Sequence, residues 1–414
     1  MRVLAVNGGS SSEKLALYDL NQQRTLQQAL EPLWSASAEW SVGEGQKLAA
    51  QITVSVSDGK EKQCQMQADS RGELIAAMLD GLWSGETKAV VGPQDVAAVG
   101  HRVVHGGAEY TSSVTITPQV KDAIYKLAEF APQHNPANLE GITACERIFP
   151  NTPEVAVFDT AFHATLPQPA TVYPGPYSWY ERGIRRYGFH GISHQYCAMR
   201  AAQLLGRDPA DLRLVTCHLG GGCSLAAIAG GRSVDTTMGF TPLDGLMMGS
   251  RSGSVDPGIL IYLLRQDHAT ADQLDETLNR ESGLKGVSGV SSDIRPILKA
   301  RDAGDERARL ALDVYIHRLR QGIGAMLAAL DGADALVFTG GVGEHTPLVR
   351  AGACATLGFA GVTLDADRNA QFAGDAIGDG DIATSDARMR VLVIHTQEDW
   401  MIARETLHVI GSIA

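Results

Sequence analysis

The sequence lacks the features that mark membrane, secreted and nucleic-acid-binding proteins. No apolar run approaches the roughly 18 residues that a membrane-spanning helix needs, and the first residues, MRVLAVNGGSSSEK, lack the charged-then-apolar order of a secretion signal. Basic residues are in deficit, with 35 Lys and Arg against 47 Asp and Glu and a formal net charge of −12. This balance disfavours anionic partners. We therefore expect a cytoplasmic protein with no nucleic-acid or membrane partner.

Cysteine is also scarce and scattered. The six cysteines contain no C-x-x-C pair, which favours reduced core thiols over a disulfide framework or a zinc site. The G-x-x-x-x-G-K-[ST] motif of a P-loop is absent as well. What the 414 residues do contain is 44% apolar residues and 45 glycines, which often follow apolar strands in short runs. Length and composition predict two globular domains, in which glycine backbone turns tightly or approaches a ligand.

Two hairpins with glycine-bearing tips occur in the two halves of the chain. The first joins a strand at 3–6 to an alternating strand at 14–20 through Asn7-Gly8-Gly9-Ser10-Ser11-Ser12. The second joins strands at 212–217 and 225–229 through His218-Leu219-Gly220-Gly221-Gly222-Cys223-Ser224. The repetition predicts a duplicated domain, with each copy offering a phosphate-sized turn to a shared cleft.

The remaining pattern is that of an α/β protein. Strands are predicted at 96–104, 155–158, 335–339 and 391–394, and the three-to-four spacing of apolar residues predicts a long helix over 306–330. The turn 340–343 is expected to lead into a helix from Thr346, and Thr396 is expected to cap the last helix. The polar segment 33–62 is predicted to be an insertion with short strands.

Each candidate binding motif has a structural alternative. N-G-G-S-S-S-E-K is either an ordinary hairpin tip or a ring of donors for a phosphate, formed by backbone N–H groups with Asn7, Ser10 and Ser12. F-T-G-G-V-G-E-H-T-P is either a tightly packed turn or naked backbone against which a nucleotide lies. Arg102 and Arg251 are either ion-paired surface residues or a clamp for anions.

Acids and histidines complete the candidates. Asp159 and Glu398 could be a helix cap and a surface acid, but a cleft that holds several phosphates needs Mg²⁺, which binds one or two carboxylates. His190 and His194 have a metal-like spacing, yet the glycine between them favours a loop. A histidine that donates a hydrogen bond to a phosphoryl oxygen is the favoured interpretation.

Taken in order, these segments resemble the acetate kinase family of the actin, sugar-kinase and chaperone-ATPase superfamily. The similarity runs through nearly the whole chain, over N-G-G-S-S-S-E-K, G-H-R-V-V-H-G-G, A-P-Q-H-N-P-A-N, F-D-T-A-F-H, R-R-Y-G-F-H-G-I-S-H, H-L-G-G-G-C-S, D-T-T-M-G-F-T-P-L-D-G-L-M-M-G-S-R-S-G, S-S-D-I-R, F-T-G-G-V-G-E-H and T-Q-E-D-W-M-I-A-R. The resemblance implies an α/β fold of two duplicated actin-like (ribonuclease H-like) domains with an interdomain active-site cleft. Their expected limits are 1–160, completed by 395–414, and 161–394.

The resemblance also implies a reaction and its residues. The expected activity is reversible, Mg²⁺-dependent (or Mn²⁺-dependent) transfer of the ATP γ-phosphoryl group to acetate by a homodimer. The nucleotide phosphates and adenosine are expected at Asn7, Ser10, Ser12, Lys14, His218, Gly220, Gly222, Asp293, Ile294, Arg295, Gly341, Val342, Gly343 and Glu344. Arg102 and Arg251 would grip the acyl carboxylate and the phosphoryl group, His190 would donate to it, His134 would shape the site, and Asn7, Asp159 and Glu398 would position the metal. Val104, Gln133, Phe189 and Pro242 would form the acyl pocket.

Five positions differ from the family's usual residues. Gln133 replaces the leucine of the acyl pocket, Gly221 replaces an asparagine in the second loop, and Cys223 replaces a smaller residue. Ser254 and His345 replace an aspartate and an asparagine. These differences leave alternatives open: a propionate or other short-chain carboxylate kinase, a kinase with another donor such as pyrophosphate, or a nucleotide-binding regulator of the same fold.

Overall fold

The computed structural model describes residues 1–9, 12–20, 31–42, 47–131, 134–374 and 378–412. It divides into two compact units, Met1–Ala161 with Gln397–Ala414, and Phe162–Thr396. We call them unit 1 and unit 2. Gln133 and Ser10 lie outside the described residues. Within the described residues, no helix is both long enough and apolar enough to cross a membrane.

The described residues of unit 1 form one sheet and four α-helices. Its strands are β1 (Arg2–Gly8), β2 (Ser12–Asp19), β3 (Trp34–Val42), β4 (Leu48–Val56), β5 (Glu61–Ala68), β6 (Ala98–Val103), β7 (Val114–Thr115) and β8 (Glu154–Phe158). Its helices are α1 (Arg71–Trp83), α2 (Pro118–Lys126), α3 (Asn135–Ile148) and, at the C-terminus, α15 (Glu398–Gly411).

Unit 2 is larger and richer in helix. Its strands are β9 (Arg213–Leu219), β10 (Cys223–Ala229), β11 (Arg232–Thr236), β12 (Ala335–Thr339), β13 (Gly380–Asp381) and β14 (Arg390–Val393). Its helices are α4 (Gln168–Thr171), α5 (Tyr177–Glu181), α6 (Gly191–Leu205), α7 (Pro257–Gln266), α8 (Ala271–Arg280), α9 (Gly283–Ser288), α10 (Ile294–Asp302), α11 (Glu306–Ala329), α12 (Gly340–His345), α13 (Pro347–Cys354) and α14 (Ala366–Gln371).

The six strands of the second sheet follow the same order as six of the eight strands of the first sheet. In unit 1 the order is β5-β4-β3-β2-β1-β6-β8-β7, and in unit 2 it is β11-β10-β9-β12-β14-β13. In both, an antiparallel hairpin (β1-β2 or β9-β10) is followed by two further strands parallel to its first strand, and a short antiparallel strand closes the edge. This repeated order confirms the duplicated α/β fold that the sequence predicts.

Burial explains why the inner strands are almost wholly apolar. Val3–Val6 of β1 and Ala335–Thr339 of β12 are buried, because each strand has helices or loops on both faces. Helix α15 returns the end of the chain to unit 1 and packs on β1, β6 and β8. At β6 the approach is so close that a Cβ on Gly100 would lie 2.0 Å from Thr406 Oγ1. Gly100 is therefore required for helix packing.

Several local predictions were wrong. Segment 33–62 does form strands, as predicted, but β3 and β4 are each nine residues long rather than short, and they extend the first sheet. Gly340 begins α12 directly, so the predicted turn at 340–343 is helix. Gln397 rather than Thr396 is the N-cap of α15, because the Thr396 hydroxyl bonds to Ser193 Oγ at 3.0 Å instead.

The cysteine prediction holds for five of the six residues. All six cysteines are free thiols, and only Cys64 is exposed. Burial raises the pKa of Cys223 to about 11 and that of Cys354 to about 12. These buried thiols are therefore protonated at neutral pH, consistent with their role as small core residues.

Candidate active site

The first candidate phosphate loop joins β1 to β2. Asn7 near the end of β1 pairs in register with Lys14 of β2. The Gly9 N–H donates to Ser12 O at 2.8 Å, which closes the turn. The predicted loop residues Asn7, Ser12 and Lys14 thus lie on one hairpin tip of unit 1.

Arg71, which the sequence analysis did not select, holds this loop through hydrogen bonds to its backbone. Its Nε donates to Glu13 Oε2 at 2.6 Å, and its Nη2 donates to Gly9 O at 2.6 Å and Ser12 O at 3.1 Å. Both charged side chains are buried, with 5% exposure for Arg71 and 2% for Glu13. Burial raises the pKa of Glu13, and the Arg71 charge opposes that shift. Arg71 starts a helix 58 residues away from Glu13, so no local sequence signal could have found it.

Arg102 is partly buried, with 15% side-chain exposure, near the ends of three adjacent parallel strands. Its Nη2 donates to Asp159 Oδ2 at 2.8 Å, just after β8, and its Nη1 donates to Gly8 O at 3.2 Å, at the end of β1. Burial disfavours the charged guanidinium, but nearby carboxylates, chiefly those of Asp159 and Glu398, outweigh it and raise the pKa of Arg102. The arginine therefore stays positively charged at the edge of the sheet.

Carboxylates at the start of α15 lie near Arg102. Asn7 Nδ2 donates to Asp399 Oδ1 at 2.7 Å and to Glu398 Oε2 at 3.2 Å. Burial raises the pKa of Asp399, while Lys14 and the Asn7 hydrogen bond act in the opposite direction. Asp399 is a second residue that sequence reasoning missed as part of the site, since its position in the first turn of α15 is common for an acid that answers the helix dipole.

This donor set fits Mg²⁺. The carboxylates of Asp159, Glu398 and Asp399 all raise the pKa of Arg102, and carboxylate oxygen is the ligand type that Mg²⁺ prefers. In the part of the chain that the structure describes, no three His, Cys, Asp or Glu side chains form a complete protein cage for a metal. Mg²⁺ does not require one, because it is usually held by one or two carboxylates together with water and substrate phosphates.

In unit 2, the second candidate phosphate loop lies between β9 and β10. His218 belongs to β9, so the turn is shorter than predicted and consists of Gly220–Gly222. A Cβ on Gly222 would lie 3.2 Å from His190 Cε1 and Nε2 and 3.5 Å from Arg251 Nη1. The structure thus brings together three candidates, a glycine loop, a histidine and an arginine, that are well separated in the sequence.

His190 and His218 form a stacked pair. Their ring centroids are 4.3 Å apart with an interplanar angle of 27°. His190 also has a left-handed backbone, with φ 57° and ψ 27°, immediately before α6. Such a conformation is strained for a residue other than glycine and is often found at functional sites.

The predicted adenosine residues flank the same loop. The Gly249 N–H donates to Gly221 O at 3.3 Å, and a Cβ on Gly249 would lie 2.6 Å from Ser292 O, next to Asp293. Asp293 is the N-cap of α10 and accepts from the Arg295 N–H at 2.9 Å, while the Arg295 side chain is 82% exposed. The Arg295 hydrogen bond lowers the pKa of Asp293.

Helix α12 abuts the end of β9. A Cβ on Gly340 would lie 2.8 Å from Leu219 O. Glu344 is only 5% exposed, and its carboxylate accepts from the Gly340 N–H at 2.8 Å and bonds to His395 Nδ1 at 2.6 Å. Burial opposes the charge of this carboxylate, but the His395 hydrogen bond prevails and lowers the pKa of Glu344. Glu344 therefore fixes the start of α12, and its contact with a nucleotide stays a prediction.

The predicted acyl-pocket residues are described separately in each unit. In unit 1, Val104 is 3% exposed and its N–H donates to Asn138 Oδ1 at 3.1 Å, and His134 is the N-cap of α3. In unit 2, Phe189 is 1% exposed, and Pro242 O accepts from Arg251 Nη1 at 3.3 Å. Pro242 thus contacts the arginine beside which the acyl group is expected.

The residues that differ from the family pattern have distinct surroundings. A Cβ on Gly221 would meet no heavy atom within 4 Å, so the second loop is open at this point. Cys223 Sγ instead lies 3.2 Å from the hydroxyl of Tyr315 in the core. Ser254 bonds to Asp244 and to the Gly245 N–H, and His345 lies beside Glu344. Of these positions, the open one at Gly221 has the most direct bearing on a ligand.

Comparison with known proteins agrees with this geometry. The profile of the Acetokinase family matches residues 2–404. The acetate kinase of Gloeobacter violaceus is 60% identical over 407 residues, which cover 98% of each chain. The crystal structure of Porphyromonas gingivalis acetate kinase has a TM-score of 0.88 at 37% identity, and that of a propionate kinase from Francisella tularensis has 0.87 at 34%, each covering 99% of both chains. By the extent of the profile match and the identity to its relatives, the chain belongs to the Acetokinase family.

Proposed function

We propose that the chain is an acetate kinase, which transfers the γ-phosphoryl group of ATP to acetate and gives acetyl phosphate and ADP. The observation that carries this proposal is the 60% identity to the acetate kinase of Gloeobacter violaceus over 98% of both chains. Other curated relatives with the same name share 52–58% identity. These similarities do not favour a propionate kinase, a pyrophosphate-dependent enzyme or a regulator, which the sequence alone leaves open.

The chemistry of the substrates explains which groups the reaction needs. A carboxylic acid with a pKa near 4–5 is already an anion at neutral pH, so it needs no general base. One carboxylate oxygen forms a bond to the γ-phosphorus while the β,γ-bridging oxygen leaves with ADP, in line and without a covalent enzyme intermediate. The barrier is then the mutual repulsion of two anions, and positive charge is required to lower it.

The chain supplies that charge from two arginines. Arg102 is held charged and oriented by Asp159, and Arg251 lies beside the glycine loop and His190. We propose that both act on the same carboxylate and phosphoryl group, and that His190 donates to a phosphoryl oxygen. Asp159 and Glu398 would hold Mg²⁺, which adds positive charge at the phosphate oxygens.

The homodimer is proposed on a separate observation. Helix α7 has the sequence PGILIYLLRQ, and none of its residues is buried within the chain. Ile259, Ile261, Tyr262 and Leu264 are 45–60% exposed. A helix that is apolar all round is normally covered. The same helix of a second copy, related by a two-fold axis, would cover it. Because ATP is a cytoplasmic metabolite, we also propose a cytoplasmic location.

Hydroxylamine trapping tests the proposed activity. The protein is incubated with Mg²⁺, hydroxylamine and each of ATP, GTP and pyrophosphate, against acetate, propionate and butyrate. The proposal predicts acyl hydroxamate from ATP and acetate at the highest kcat/KM of the panel. Hydroxamate from pyrophosphate alone, or a clear preference for a longer acid, would replace it with one of the alternatives, and no hydroxamate from any pair would refute a carboxylate kinase.

A further inference from the structure

The stacked histidines of unit 2 are fixed by two serines in a reciprocal arrangement. His190, just before α6, bonds through Nδ1 to Ser224 Oγ of β10 at 2.9 Å. His218 of β9 bonds through Nδ1 to Ser193 Oγ of α6 at 2.8 Å. The helix and the hairpin each contribute one ring and the serine that holds the other ring. In both rings, Nδ1 is the nitrogen that the serine hydroxyl engages.

The hydrogen bonds continue from His190 into the core. Ser224 Oγ also lies 2.8 Å from His194 Nε2, and His194 Nδ1 lies 2.7 Å from Thr216 Oγ1. Ser224, His194 and Thr216 are all fully buried. Burial lowers the pKa of His194 well below its usual value, and His163 and His218 add to this effect. His194 is therefore neutral, with one proton to donate and one lone pair to accept.

The single hydroxyl proton of Ser224 allows this row of hydrogen bonds only two orientations. Ser224 can donate to only one of its two histidines and must accept from the other. If it donates to His190, the neutral His190 ring carries its proton on Nε2. If it donates to His194, His190 carries its proton on Nδ1, and its Nε2 is either a bare acceptor or protonated in the charged ring.

The surroundings of His190 select the first direction. Its Nε2 faces Gly222 of the second loop, with Arg251 Nη1 beside the same glycine. A lone pair on Nε2 would repel the phosphoryl oxygens that Arg251 attracts, whereas an Nε2 proton would attract them. The first direction places a proton there, because Ser224 then donates to an unprotonated Nδ1.

We propose that Ser224 and His194 are positioning residues, which hold His190 as the neutral tautomer that donates from Nε2 to a phosphoryl oxygen. The chain of donors runs from Thr216 to His194, Ser224 and His190. No proton is transferred, because the role of the chain is to fix the orientation and tautomer of one hydrogen-bond donor before the substrate binds. The inference rests on the proposed kinase function, although the tautomer itself is a property of the protein without substrate.

Neutron diffraction of deuterium-exchanged crystals at neutral pH tests the tautomer without any activity measurement. The expected map has deuterium on Nε2 and none on Nδ1 of His190, and deuterium on Nε2 of His194. Deuterium on His190 Nδ1, whether alone or together with Nε2, would overturn the proposal. Hydroxamate formation by the same preparation tests the kinase function separately, so failure of one does not imply failure of the other.

Steady-state kinetics test whether this row of hydrogen bonds contributes to the reaction. For Ser224→Ala we expect kcat to fall on the order of tenfold to a hundredfold, the usual effect of removing such a supporting group, with the KM for ATP and acetate nearly unchanged. Thr216→Val, at the far end of the chain, is expected to give a smaller fall and serves if Ser224→Ala does not fold. The matched control is Thr87→Val, which removes another buried hydroxyl, bonded to Gly81 O, and should leave kcat unchanged. A wild-type kcat in a folded Ser224→Ala variant, or a rise in KM without a fall in kcat, would contradict the proposal.

Discussion

Arg102 and Asp159 form an ion pair of 2.8 Å near the ends of two adjacent parallel strands, β6 and β8. The carboxylate is 2% exposed, and the same guanidinium also reaches Gly8 O at the end of β1. One arginine thereby connects three strand ends and is held in a single orientation. We propose that this pairing, which by itself could be purely structural, also positions the charge of Arg102 for a ligand.

The buried pair of Arg71 and Glu13 predicts a separation between stability and nucleotide binding. Arg71→Met should lower the free energy of unfolding by about 3–5 kcal/mol, since it leaves a buried carboxylate without its partner. The double variant Glu13→Met/Arg71→Met should recover much of this loss, because it removes both charges. Urea unfolding measures these differences.

Although we expect its stability to recover, the double variant Glu13→Met/Arg71→Met should bind ATP more weakly than the wild type. Its loop no longer has the guanidinium that holds Gly9 O and Ser12 O, so the KM for ATP should rise by about tenfold. A double variant with recovered stability and a wild-type KM for ATP would show that Arg71 serves folding alone.

Gly222 should be essential for turnover for a steric reason. A methyl group on Gly222 would press on the His190 ring and approach Arg251, and we expect Gly222→Ala to lower kcat by about a hundredfold or more. Gly324→Ala is the matched control, since a Cβ there meets no heavy atom within 4 Å and the residue lies inside α11. Steady-state kinetics of the two variants should differ sharply, and equal activities would exclude a close contact at Gly222.

Helix α7 should carry the dimer contact. The double variant Ile261→Lys/Tyr262→Lys places two charges on a surface that we expect to be covered, and light scattering after gel filtration should show a shift from dimer to monomer. Leu310→Lys is the control, because it also removes an exposed apolar residue, at 53% exposure, but on α11. A variant dimer as stable as the wild type would place the interface elsewhere.

The fold was largely predictable because its two hairpins repeat a simple pattern. Apolar runs that end in glycine located β1, β9 and β12, and the three-to-four spacing located α11 to within one residue at its C-terminus. The strands of segment 33–62 were predicted, but their length was underestimated, because β3 to β5 alternate buried and exposed positions or lie near the sheet edge, so their sequences are polar. Where strands of a two-sided sheet begin and end is difficult to read from such polar alternation.

Some residues of the candidate site were likewise predictable from the sequence, and others were not. Glycine loops and strand-end residues such as Arg102 and Asp159 carry a local signal, since polar residues after buried strands commonly face a ligand. Arg71, Asp399 and Ser224 carry none, because their importance depends on partners distant in sequence. The roles of the candidate residues and the domain limits at 160 and 394 stay predictions.

The central claim is that Arg102 and Arg251 lower the repulsion between the attacking carboxylate and the γ-phosphoryl group. The single-turnover rate of phosphoryl transfer in Arg102→Ala and Arg251→Ala tests it most directly, with the Kd for ATP measured on the same samples. We predict that each substitution lowers the rate by roughly a thousandfold or more, as loss of a transition-state arginine does in other phosphoryl transfers, while the Kd for ATP changes by less than about threefold. A small loss of rate matched by an equal loss of ATP affinity in both variants would contradict the account.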